Sequence, residues 1–90
     1  MSILEKPTKA TKYIHQAAKR FKDSGATIEW DSAFSTVSIE CDREEGVFMQ
    51  GEEADRFIDE IKAMSRRYPS LNEYTAACAL AEPIIECLFN

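Results

Sequence analysis

Ninety residues, 44% of them hydrophobic, with a formal net charge of −5, describe one compact domain with a single core. No apolar run approaches the roughly 18 residues of a membrane span, and the first residues lack the apolar stretch of an export signal, so a soluble cytoplasmic protein is expected. Three cysteines, Cys41, Cys78 and Cys87, are an odd number without CxxC spacing, which argues for reduced, buried thiols rather than a disulfide framework. With His15 they make four scattered ligand types without zinc spacing, so neither a metal nor another cofactor is expected.

The charge is unevenly spread. Residues 1–22 carry Lys6, Lys9, Lys12, Lys19, Arg20 and Lys22 against Glu5, whereas residues 23–60 carry twelve acids against Arg43 and Arg56. Such polarisation steers association with a charged partner without dictating the fold.

In chain order, Pro7 and Thr8 suit a helix start, since proline fits the first turn and threonine can cap. Ala10, Tyr13, Ile14, Ala17, Ala18 and Phe21 follow at helical spacing and predict a helix to about Asp23, closed by Ser24 and Gly25. Its other face is lysine-rich. It reads either as a solvated face whose cations lie along the core or as a nucleic-acid surface made of Lys9, Lys12, Lys19, Arg20 and Lys22. His15, beside the apolar stripe and without an obvious partner, is given no role.

From Thr27 the period changes to two. Ile28 and Trp30 alternate with Glu29 and Asp31, and Val37, Ile39 and Cys41 alternate with Ser38, Glu40 and Asp42. The apolar positions switch from even to odd numbers between the two strands, which requires a turn at about residues 31–35. A second turn over residues 42–46 leads to a short apolar run, Val47, Phe48 and Met49, bounded by Gly46 and Gly51 and read as a third strand. Short connections imply an antiparallel meander.

Ala54, Phe57, Ile58, Ile61 and Met64 then mark one stripe of a second helix, with acids at its start and Arg66 and Arg67 at its end, as the helix dipole favours. Pro69 ends that pattern. Ser70 and Glu73 have capping-box spacing, with Ser70 as the expected N-cap of a third helix. That helix is apolar over much of its circumference, and Pro83 is expected to kink it or restart it as a final turn. The expected fold is therefore α+β, in the order α-β-β-β-α-α, with a three-stranded antiparallel meander packed against helices.

The strand alternation has a functional consequence. If the apolar sides meet the helices, Glu29, Asp31, Glu40 and Asp42 project from the other face, with Glu44, Glu45, Glu52, Glu53 and Asp55 near its rim. These nine acids are the candidate partner-binding residues, and Ile84, Ile85, Leu88 and Phe89 are a candidate self-association surface for a homodimer. No phosphate loop, dinucleotide fingerprint or calcium loop occurs, and paired acids on an open meander lack the cleft that catalysis needs, so enzymatic activity is not expected.

The segments TIEWDSAFSTVSIECD and GVFMQGEEADRFIDEI, an acidic hairpin followed by a Gly-Glu-Glu-Ala-Asp helix start, resemble the small acidic accessory proteins of bacteriophages and mobile elements. Among these the chain is similar in size and charge to anti-CRISPR inhibitors, although its basic first helix departs from a uniformly acidic DNA mimic. The resemblance implies a non-enzymatic inhibitor acting in a bacterial host, with a Cas effector complex or another basic protein surface as partner. The alternative is a small dimeric nucleic-acid-binding regulator that uses the basic first helix.

Overall fold

The computed structural model describes residues 9–42 and 46–89, the last two without their side chains. The element order is α1 (Lys9–Asp23), β1 (Thr27–Asp31), β2 (Thr36–Glu40), β3 (Val47–Gln50), α2 (Glu52–Arg67) and α3 (Glu73–Phe89). The α-β-β-β-α-α order and the antiparallel sheet, in the strand order β1-β2-β3, are as the periodicity predicts.

Helix α1 buries Thr11, Ile14, Ala17, Ala18 and Phe21. Ala10 and Tyr13, expected on that stripe, are exposed instead, Tyr13 to 67%. Thr11 takes the inward position at the start of the helix, so the buried stripe runs through residues 11, 14, 18 and 21 with Ala17 beside it. The helix closes in a Schellman motif: the Ala26 amide donates to the Phe21 carbonyl and the Gly25 amide to that of Lys22. Gly25 sits at φ 78°, and a methyl group there would run into the Asp42 carboxylate.

The sheet register sorts its residues cleanly. Two rungs, Ile28–Ile39–Val47 and Trp30–Val37–Met49, point at the helices. Val37 and Ile39 on the central strand are fully buried. The β1–β2 turn is tied down at both ends. The Asp31 carboxylate accepts the amides of Ala33 and Phe34, and Ser35, left-handed at φ 52°, offers its carbonyl to the Gly51 amide at 3.0 Å. At the start of β3 a Cβ on Gly46 would fall on the Ile39 carbonyl oxygen, so only glycine lets the chain pass this close to β2.

Helix α3 is the hub. It packs on α1, on α2 and on β1, while α2 lies over β2 and β3. Ala76, Ala77, Cys78 and Ala81, small side chains with no exposed surface, line the interior of α3 and let its neighbours approach closely. Its start differs from expectation. Asn72 is the N-cap, its side chain accepting the Thr75 amide at 2.7 Å, and Ser70 falls inside a turn closed by the Leu71 amide on the Tyr68 carbonyl. Pro69 is the cause, because it fixes a four-residue turn over Tyr68–Leu71 and postpones the helix by two residues. Pro83 neither ends nor restarts the helix. It sits on the exposed side of a helix that runs on from Glu73 to Phe89.

The cysteines divide three ways. Cys78 is buried, Cys41 half-buried and Cys87 exposed, none of them in a disulfide, so the expectation of buried thiols holds for Cys78 alone. Cys87 lies near the end of α3, on its exposed side. Burial pushes the Cys78 thiol up from its ordinary value, a shift opposed by a hydrogen bond with Tyr74 and by the charge of Lys22. No described helix is long and apolar enough to cross a membrane.

Candidate functional site

With the helices on one side, the remaining three rungs form an uncovered face: Thr27–Glu40, Glu29–Ser38–Phe48 and Asp31–Thr36–Gln50. Among the described residues this face carries three carboxylates and no lysine or arginine. Successive same-face residues along a strand stand about 7 Å apart, and diagonal cross-strand neighbours about 7–8 Å, so Glu29 has Asp31 and Glu40 as its nearest charged neighbours. Like charges at that spacing repel modestly in water and are relieved by a cation laid across them. An open depression of about 470 Å³ lies on this side, lined by Glu29, Trp30, Asp31, Thr36 and Ser38.

The seven expected partner-binding acids that are described do not share one surface. Glu29, Asp31 and Glu40 share the open face, but one oxygen of Asp31 is already used by the turn. Asp42 lies against Gly25 beside the α1–β1 connection, because the chain leaves the pleat after Glu40 and the alternation that placed it with Glu40 no longer applies. Glu44 and Glu45 fall outside the described residues. Glu52, Glu53 and Asp55 occupy the first turn of α2 behind Gly51, a cap with no side chain to offer, and their charges compensate the N-terminal dipole. Glu53 lines a second depression with Met49, Arg56, Phe57 and Glu60, on the helix side of the sheet, and Glu52 lies 4.0 Å from Arg56. Of the seven that are described, the open face keeps three.

The basic helix is largely engaged within the protein. Arg20 donates from Nε to Glu82 of α3 at 2.9 Å, joining two helices across a partly buried contact. That hydrogen bond is the main reason the Arg20 guanidinium holds its proton more firmly than usual. Lys19 pairs with Asp23 at 2.9 Å, and the Lys22 ammonium stands 5.5 Å from the centre of the Tyr74 ring. Among the described residues only Lys9 and Lys12 of the five have no such partner. The expected self-association surface is also thinned: Ile85 belongs to the core, Ile84 is half-buried, and the side chains of Leu88 and Phe89 lie outside the described residues.

The residue that sequence reasoning passed over is Phe48. It is 61% exposed, in the middle of the open face, on the same rung as Glu29 and Ser38. The signal was present: in a strand whose Val47 and Met49 turn inward, the residue between them must turn outward. Phe34, 78% exposed, stands at the tip of the β1–β2 hairpin, beyond the Asp31 end of the sheet. Among the described residues no group of three or more histidine, cysteine or acidic side chains is placed to hold a metal ion. No family model, curated protein or solved structure matches the chain, which leaves the chemistry of the open face as the guide to its use.

Proposed function

We propose that the protein is a non-enzymatic inhibitor of the anti-CRISPR kind. It acts in the cytoplasm of a bacterial host, laying its open sheet face on the basic surface with which a nucleic-acid-handling complex, such as a Cas effector, grips DNA or RNA. The observation that supports this reading is the segregation of Glu29, Asp31 and Glu40, with no cation beside them among the described residues, on the sheet face opposite the helices. Carboxylates at this spacing offer arginine and lysine the charge-assisted hydrogen bonds that phosphates would otherwise supply, so the protein and the nucleic acid compete for one surface.

The basic helix supports the rival reading, a nucleic-acid-binding regulator, less well, because three of its five cations already have partners inside the protein. Purified Cas effector complexes, titrated with the protein at rising salt and scored for DNA binding, test the proposal. Inhibition that weakens with salt and disappears in the double charge reversal Glu29→Lys, Glu40→Lys supports it. Inhibition indifferent to both changes refutes it, and a salt-sensitive shift of random duplex DNA by the protein alone establishes the rival.

A further inference from the structure

The open face is not uniformly acidic, and its one large apolar group sits where a protein would normally put a polar one. Phe48 lies on an edge strand, 61% exposed, and its rung reads carboxylate, hydroxymethyl, phenyl: Glu29, Ser38, Phe48. Three adjacent strands put Glu29 and Phe48 about 9.5 Å apart across the sheet, with the small side chain of Ser38 as the floor between them. The depression beside this row is lined by Glu29, Trp30, Asp31, Thr36 and Ser38, and Phe48 stands outside it, across Ser38 from Glu29. Along this rung the face therefore runs from an acidic side through a low centre to an aromatic side.

Each occupant of such a cleft can be weighed by its chemistry. Exposed aromatic rings on a sheet are also a way of stacking nucleic-acid bases, but sheets that do so surround the ring with cations that hold phosphate. Here the neighbours are carboxylates, which repel it. A second copy of the chain would oppose Glu29 and Glu40 to their own images, at an electrostatic cost. A cation is attracted both by the carboxylates and by the negative face of the ring. Between the two protein cations, the ammonium of lysine can satisfy Glu29 but offers no plane to stack. Guanidinium is flat and weakly hydrated along its faces, and it carries hydrogen-bond donors at its edge.

Resting on the inhibitor reading above, we propose that this rung is an arginine receptor: an arginine side chain of the basic protein partner stacks its guanidinium on Phe48 and donates from its edge to Glu29 over Ser38. Asp31 and Glu40 supply the surrounding field. Phe48 thus makes the face selective among basic surfaces, favouring those that grip phosphate with arginine over those that use lysine.

The test is an NMR titration of the isotopically labelled full chain with two end-capped peptides of equal charge, hexa-arginine and hexalysine. The expected result is perturbation centred on Glu29, Ser38 and Phe48, with hexa-arginine bound about two- to fivefold more tightly, the size of an exposed cation–π contact. Phe48→Thr, a change to another strand-favouring residue, should erase that preference and leave weak, salt-sensitive binding of both peptides, and Phe48→Tyr should retain it. Glu29→Gln should weaken both. Dispersed spectra from each variant show that the fold persists. Equal affinity for the two peptides, or an arginine preference that survives Phe48→Thr, overturns the arginine receptor and leaves the acidic docking face standing. Perturbations that map away from the open face overturn both.

Discussion

The central strand of the sheet presents two surfaces in alternation, and they obey different rules. Val37 and Ile39 point at the helices and are fully buried; Ser38 and Glu40, one step along the chain, point the other way and are half-buried and exposed. The first pair is selected by the hydrophobic effect, which rewards any snug apolar side chain and rejects the rest. The second pair is under no such demand. Asp31 on that face still serves the β1–β2 turn, but Glu29, Glu40 and Phe48 are features the core does not require. That contrast is the reason to look for function there, and it can be broken experimentally.

The largest effect belongs to the covered face. Ile39→Ala should lower the free energy of unfolding by about 2–5 kcal/mol, the range for emptying a fully packed aliphatic site. Ser38→Ala, on the neighbouring residue, should stay within about 0.5 kcal/mol. Urea denaturation of the two variants measures the contrast directly, and similar losses would mean that both faces of β2 are covered. Next in size is Gly25→Ala, expected to cost about 1–2 kcal/mol for a left-handed residue with a Cβ, with an added penalty from the Asp42 carboxylate behind it. Truncating Asp42 to alanine in the same chain should recover the steric part and none of the backbone part, which shows whether Asp42 occupies that corner.

How much of this was legible depended on the range of the interaction. The elements rest on local periodicity, and α2 is the clearest case: Ala54, Phe57, Ile58 and Ile61 are buried where the spacing puts them. The N-cap of α3 was misplaced because two local signals competed over four residues, and Pro69 set the turn before Ser70 could cap. The acidic face was half legible. Alternation identified Glu29, Asp31 and Glu40, but it was carried past the end of the strand to Asp42 and onto a helix whose first-turn acids answer to the dipole. The pairing of Arg20 with Glu82 spans 62 residues of sequence, and nothing in local spacing announces it. Phe48 was hidden by its company, since an apolar run of three reads as core unless the pleat is counted through it.

The covered side also has a pH signature. Burial raises the Cys78 thiol above its ordinary value of 9.0 and is the first cause of a raised Tyr74, ordinarily at 10.0. For both groups the folded protein holds the proton more tightly than the unfolded chain does. The stability linked to them is therefore complete below about pH 9 and declines as the pH climbs through the raised values. Cys78→Ala should flatten the part of this alkaline loss that belongs to the thiol, at the expense of a lower starting stability. Urea midpoints taken at pH 7 and at several points above pH 9 measure it. An unchanged slope in the variant would show that the thiol is not shielded at the α1–α3 contact.

A change expected to affect folding as little as Ser38→Ala does is the most informative about the open face. Phe48→Thr removes a ring comparable in bulk to the core isoleucines, from a strand whose neighbours on either side, Val47 and Met49, pack inward. Because most of the ring is in water, the change should alter the unfolding free energy by no more than about 0.5 kcal/mol, while abolishing the preference for arginine. A loss above about 2 kcal/mol would place the ring among packed neighbours and make it part of the scaffold. If stability holds and recognition fails, the phenyl group is there for a partner, since an exposed aromatic on an edge strand otherwise carries the risk of unwanted strand pairing.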